Sequence, residues 1–152
     1  KMSSVNFSYL PQNPMYLLLE ETVQKEWDKM SQCSKELFLR FGLDELKKRN
    51  PQDLSGGEKQ RVAIATALAS DREYVVMDEP TSGLDYKHMK EVALCLKQLK
   101  ELGKSVFVIT HDVELIYHCC TYVVHIEAGK VTNQYAIDKS THTLLRDYFL
   151  LQ

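Results

Sequence analysis

The chain has 152 residues, 44% of them hydrophobic and 26% charged, with 19 basic and 21 acidic side chains and a formal net charge of −2. This is the composition of one ordinary globular domain with enough apolar side chains for a core, and the near-balance of charge argues against a dedicated nucleic-acid binder, which carries a basic excess or stripe. The longest apolar runs, such as Val106-Phe107-Val108-Ile109, fall far short of the ~20 residues of a membrane span, so a membrane role would run through a partner.

The four cysteines, Cys33, Cys95, Cys119 and Cys120, are irregularly spaced and read as reduced thiols of a cytosolic chain. His118 precedes the last two, but no second CxxC or HxxxH pair completes a zinc set, and a helix end against the core is the plainer reading. The opening Lys1-Met2 reads as a sequence entered partway.

In chain order, Val5 to Leu10 predicts a strand ended by Pro11, and Pro11-Gln12-Asn13-Pro14 a loop. Leu17 to Phe41 reads as helical, with apolar residues at Leu18, Val23, Trp27, Met30, Leu37, Phe38 and Phe41, stopped by Gly42. Leu43 to Leu46 reads as one more turn before the Asn50-Pro51 loop. Glu58 to Ala69 predicts a strong helix. Tyr74 to Met77 and Ser105 to Thr110 read as strands buried on both faces of a parallel sheet. Between them, Tyr86 to Leu102 predicts a helix closed by Gly103. A short helix follows to about Cys119, then a hairpin of Thr121–Ile126 and Lys130–Tyr135 around Glu127-Ala128-Gly129, and a closing helix over Thr143–Leu151. Strands alternating with helices imply an α/β sheet with crossover connections. The helical stretch from Leu17 to Pro51 interrupts that alternation as a separate lobe.

Three local patterns carry chemistry. Ser55-Gly56-Gly57 opens a helix, where free amides and the dipole make an anion site; taken alone it is equally a capped helix after a loop. Asp78-Glu79 ends an apolar strand, where α/β proteins place ligands. His111 ends the next strand. Asp112 reads as the cap of the following helix.

As complete strings these residues resemble one family. Leu54-Ser55-Gly56-Gly57-Glu58-Lys59-Gln60-Arg61 is similar to the signature motif of ATP-binding-cassette ATPases. Val75-Val76-Met77-Asp78-Glu79-Pro80 resembles their Walker B element, Ser82 to Asp85 their D-loop, Thr110-His111-Asp112 their switch histidine, and Tyr9-Leu10-Pro11-Gln12-Asn13-Pro14 their Q-loop. The order of these motifs spans positions 9 to 112. Glu79 to Asp85 and Thr110-His111-Asp112 look most like importers of the energy-coupling-factor or cobalt type.

The resemblance implies ATP and Mg²⁺ as ligands. Asp78 and Gln12 hold the metal; Glu79, His111 and Gln12 act on the attacking water and the γ-phosphate. Ser55, Gly56, Gly57, Gln60 and Asp85 bind nucleotide, with Ser55, Gly57 and Asp85 facing that of a neighbouring cassette. It implies a second cassette and a transmembrane transporter subunit as partners, with no nucleic acid and no membrane insertion. It places the chain on the cytoplasmic side of the membrane, peripherally, with the lobe over residues 15–52 as a helical subdomain and 1–14 plus 53–152 as the α/β core.

The resemblance also defines a gap. The family's G-x-x-x-x-G-K-[ST] loop, whose amides cradle phosphates, is not in the sequence. Gly103-Lys104-Ser105 has its ending, but Gln98 stands where the first glycine belongs and a strand follows instead of a helix. The expected fold is therefore an incomplete P-loop NTPase sheet without its phosphate-loop strand, whose open edge repacks or pairs with another copy. The chain alone is expected to hydrolyse no ATP. Two alternatives stand beside the transport motor: a non-catalytic module lending its signature face to an intact cassette, and a cassette that works on DNA or in translation.

Overall fold

The computed structural model describes residues 6–30, 34–138 and 140–150. The chain divides into two compact units, one running to His111 and one starting at Asp112.

In the first unit, β1 (Phe7–Leu10), β2 (Tyr74–Asp78) and β3 (Ser105–Ile109) form a parallel sheet in the order β1-β2-β3. Tyr9 pairs with Val76 and Val76 with Phe107, while Asp78 stands beside Ile109, so the carboxyl ends of β2 and β3 lie level. The crossovers are α3 (Gly56–Leu68) and α4 (Tyr86–Glu101). These helices pack on each other, which puts both on one face of the sheet. Val75 and Met77 point to that covered face and are fully buried, each contributing roughly 1.5–3 kcal/mol by leaving water.

From Val62 on, helix α3 is apolar on nearly every side. Val62, Ala63, Ile64, Ala65, Ala67 and Leu68 are all buried, because α3 contacts β1, α4 and the helical lobe at once. Helix α4 is one-sided, burying Met89, Val92, Ala93, Leu96 and Leu99 at three- and four-residue steps.

The opposite face departs from expectation. Phe7, Tyr9, Phe107 and Ile109 are exposed, so β3 is not a strand buried on both sides. Apolar runs fit a doubly covered strand, and here only one cover belongs to this unit.

The stretch over 17–41 is not one helical run. Leu17 to Thr22 is irregular, α1 covers Val23–Asp28 and α2 Lys35–Arg40. Thr22 and Ser34 interrupt the pattern as N-caps, accepting from the amides of Lys25 and Leu37. Trp27 and Phe38 then meet edge to face at 5.4 Å and hold the lobe's core. The segment 43–46 is a turn. Helix α3 begins at Gly56, two residues before Glu58, directly after its cap Ser55. Val5, Cys33 and Leu151 lie outside the described residues.

The second unit holds α5 (Val113–Cys119), the antiparallel hairpin β4 (Tyr122–Glu127) and β5 (Lys130–Ala136), and α6 (His142–Leu150). Ala128 and Gly129, both at positive φ, make the hairpin turn. Asp112 caps α5, its Oδ1 accepting from the Leu115 amide at 3.1 Å.

Candidate active site

At the carboxyl ends of β2 and β3 the chain gathers its acids and its histidine. The Glu79 backbone is at φ 45°, a left-handed conformation that costs a non-glycine residue on the order of 1 kcal/mol or more and that clusters at functional sites. That turn is held by the Glu79 amide donating to the Ile109 carbonyl at 2.8 Å. It aims the side chain at the end of β3, where Nδ1 of His111 lies 2.7 Å from Oε1 and the Thr110 hydroxyl donates to Oε2 at 3.2 Å. The Glu79 side chain is 21% exposed, while that of His111 is 80% exposed. The carboxylate is thus positioned by the strand ends with an open imidazole beside it.

One residue earlier on β2, Oδ2 of Asp78 accepts from the Tyr9 hydroxyl at 3.1 Å. The bond spans neighbouring parallel strands on their open face. That hydrogen bond is the main reason the Tyr9 phenol is pushed above its ordinary range. Gln12, just past β1, donates through Nε2 to the Ser82 hydroxyl at 2.8 Å. Gln12, Gly56, Gln60 and Ser82 line one cavity of about 310 Å³, and the buried Nε2 of Gln60 has no partner among the described residues.

The second group of candidate residues lies at the start of α3. Ser55 and Glu58 form a reciprocal capping box: the Ser55 amide donates to Oε2 of Glu58 at 2.7 Å, and the Glu58 amide to the Ser55 hydroxyl at 3.3 Å. The Ser55 amide, first among several causes, holds the Glu58 carboxyl below its ordinary range. The amides of Gly56 and Gly57 have no acceptor within the helix. Gly56 is exposed and Gly57 buried, so close approach at Gly57 is made by the chain's own His88 and not from solvent. Asp85 caps α4 and is exposed.

The structure therefore brings Asp78, Glu79 and His111 to adjacent strand ends, and joins Gln12 to the Ser82 loop. It places Ser55, Gly57 and Asp85 in a second cluster, joined to the first through Gly56 at the shared cavity, with Gln60 turned inward. Tyr9 and Thr110 stand inside the motif strings but carry no role there. The signal for both is strand register, since residues at the ends of paired parallel strands converge.

Gly103-Lys104-Ser105 is no phosphate loop. Gly103, at φ 81°, is the left-handed residue that ends α4. The Lys104 ammonium is spent on the carbonyls of Ser70 and Arg72, at 3.0 and 2.6 Å.

Residues 1–82 match the ABC transporter family. The chain belongs to that family. It is 40% identical over 104 residues to a putative ABC transporter ATP-binding protein of Treponema denticola, covering 68% of this chain and 21% of that protein. It is 33% identical over 137 residues to the energy-coupling factor transporter ATP-binding protein EcfA1 of Thermotoga maritima, covering 83% of this chain and 52% of EcfA1. The solved structure of cbiO1 from Clostridium perfringens, part of the ABC transporter complex cbiONQ, superposes with a TM-score of 0.76 at 25% identity, over 95% of this chain and 61% of that one. The chain is thus an α/β partial cassette, spanning about half the length or less of these curated relatives.

The donor set suits a hard divalent cation. Asp78 would supply a carboxylate, one oxygen of which already accepts from Tyr9, and the Gln12 carbonyl and Ser82 hydroxyl would be further oxygen donors. For the phosphates of a nucleotide held in cis, the described residues offer no equivalent cradle.

Proposed function

We propose that this chain is the carboxyl-terminal part of an ATP-hydrolysing motor that drives solute transport. The observation that carries the reading is the Glu79 carboxylate held between His111 and Thr110, one residue beyond Asp78. In this reading Glu79 orients or deprotonates the attacking water, and His111 fixes one carboxylate oxygen while its exposed ring faces the γ-phosphate. Asp78 and Gln12 would hold Mg²⁺, which when bound neutralises charge on the phosphate oxygens. The chain's contribution is positioning: two strand ends and a strained turn fix the water-orienting group before substrate arrives.

The start of α3, with Ser55 and the exposed Gly56, and Asp85 at the start of α4 serve the nucleotide of a neighbouring cassette; Gly57, expected there from the sequence, is covered by His88 instead. The helical lobe over residues 15–52 meets a transmembrane subunit. No helix among the described residues is long and apolar enough to cross a membrane, so attachment to the inner face of the cell membrane would come through that subunit. The energy-coupling factor and cbiONQ relatives support this arrangement.

The test is a chimera in which a half-cassette bearing G-x-x-x-x-G-K-[ST] is fused ahead of this chain. Mg²⁺-dependent ATP hydrolysis by the chimera, and none by the chain alone, is the expected result. A chimera that melts cooperatively and binds ATP, yet hydrolyses it no faster than its Glu79→Gln form, would refute the reading.

A further inference from the structure

Of the two glycines that open α3, Gly56 is exposed and Gly57 is covered from within the chain. A Cβ on Gly56 would lie 3.4 Å from Cδ2 of Leu84. One on Gly57 would stand 2.6 Å from Cδ2, 3.1 Å from Cγ and 3.2 Å from Cβ of His88. The shortest contact is with the ring, whereas the one to Cβ is relieved by a shift of a few tenths of an ångström, so it is the imidazole that occupies the place of a side chain at Gly57. His88 is also bound at its other edge. Its Nδ1 lies 2.8 Å from Oδ1 of Asp85, and its own amide donates to the same oxygen at 3.0 Å. Two bonds from His88 thus fix the carboxylate that caps α4, while the same side chain rests on Gly57 of α3.

We propose that His88 is a positioning residue that couples the start of α3 to the Asp85 turn, so that Ser55, Gly56 and Asp85 are presented as one rigid edge. That this edge meets a neighbour's nucleotide rests on the function proposed above; the coupling itself does not. Gly57 is then glycine because His88 fills the place of its side chain. The two elements are far apart in sequence, and His88 rests on Gly57 while it holds Asp85; Leu84 beside Gly56 and the Arg61–Glu91 pair farther along the helices are their other links.

A double-mutant cycle on the chain, with Gly57→Ala and His88→Ser, tests the coupling. Alanine is the better helix residue, so with nothing above it Gly57→Ala favours α3. With His88 in place, Gly57→Ala should raise the unfolding constant roughly tenfold, the scale of overpacking by a methyl group. In the His88→Ser background it should leave that constant unchanged or lower it. An equal penalty in both backgrounds overturns the proposal.

Native-state amide exchange needs no glycine variant. His88→Ser should speed exchange at Glu58 and Lys59 together with Lys87 and Met89; a change confined to α4 reduces His88 to a local cap and also overturns it. In the chimera described above, His88→Ser should lower kcat several-fold with KM for ATP little changed. His88→Asn, which keeps a short donor for Asp85, should recover part of that loss; unchanged kcat in both variants defeats the positioning role. A chimera that hydrolyses nothing while the cycle still shows coupling would tell against the proposed hydrolysis and leave the coupling standing.

Discussion

Nδ1 of His111 and Oε1 of Glu79 stand 2.7 Å apart and tie the end of β2 to the end of β3. Glu79→Gln keeps an oxygen for His111 or Thr110 but removes the base. In the chimera it should lower kcat by about 10²–10⁴, the usual span for a positioned acid or base, and bound ATP should be retained through a filter-binding wash. Turnover within threefold of the parent would remove Glu79 from the chemistry.

The Tyr9–Asp78 bond predicts an effect on metal rather than on the fold. Tyr9 is about half exposed, so Tyr9→Phe should shift the melting midpoint by little more than a degree. Releasing Oδ2 of Asp78 frees the carboxylate to rotate, and partners that orient a ligating group matter roughly tenfold or more in metal affinity. Titration with Mn²⁺ followed by electron paramagnetic resonance should show that weakening in the nucleotide-loaded chimera. Equal affinity in the two proteins would mean that Tyr9 plays no part in holding Asp78.

Much of this site is legible in the sequence because its signals are local. Each apolar strand ends on its functional residues, and Ser55 announces α3. Tyr9, Thr110 and His88 were not legible for the opposite reason: their partners are 69, 31 and 31 residues away in sequence, and only register and helix packing bring them together. The lobe failed on a different count. Leu17 to Phe41 has enough apolar residues for a continuous helix, but Thr22 and Ser34 can accept from amides three residues ahead, and a capped start at each breaks the run. The open face of β3 was hidden because an apolar strand has the same composition whether one cover or two belongs to its own unit.

The capping box gives α3 a pH dependence of definite sign. The folded Glu58 carboxyl lies below its ordinary value of 4.5, chiefly through the Ser55 amide. A depressed carboxyl contributes stability above its unfolded value and loses it as pH falls through the folded one. The exposed Arg49 pair adds little. At pH 7, Glu58→Ala should therefore cost about 1 kcal/mol, the scale of a lost cap. The gap between parent and variant should close as the pH falls below 4.5. Urea titrations at several pH values measure it; a gap that widens in acid would reverse the assignment.

Lys104 offers the sharpest separation between a motif and its imitation. Its ammonium binds the carbonyls of Ser70 and Arg72 just beyond α3, so Lys104→Met strips charged donors from two backbone acceptors. The expected loss is about 1–3 kcal/mol of stability, read as a lower midpoint in urea. A lysine that cradled phosphate would behave otherwise: its removal would raise KM for ATP in the chimera and leave the midpoint almost unmoved. The bonds to Ser70 and Arg72 favour the first outcome, because an ammonium drawn onto those carbonyls at the foot of β3 is at the opposite end of the strand from His111 and cannot also reach a phosphate beside it.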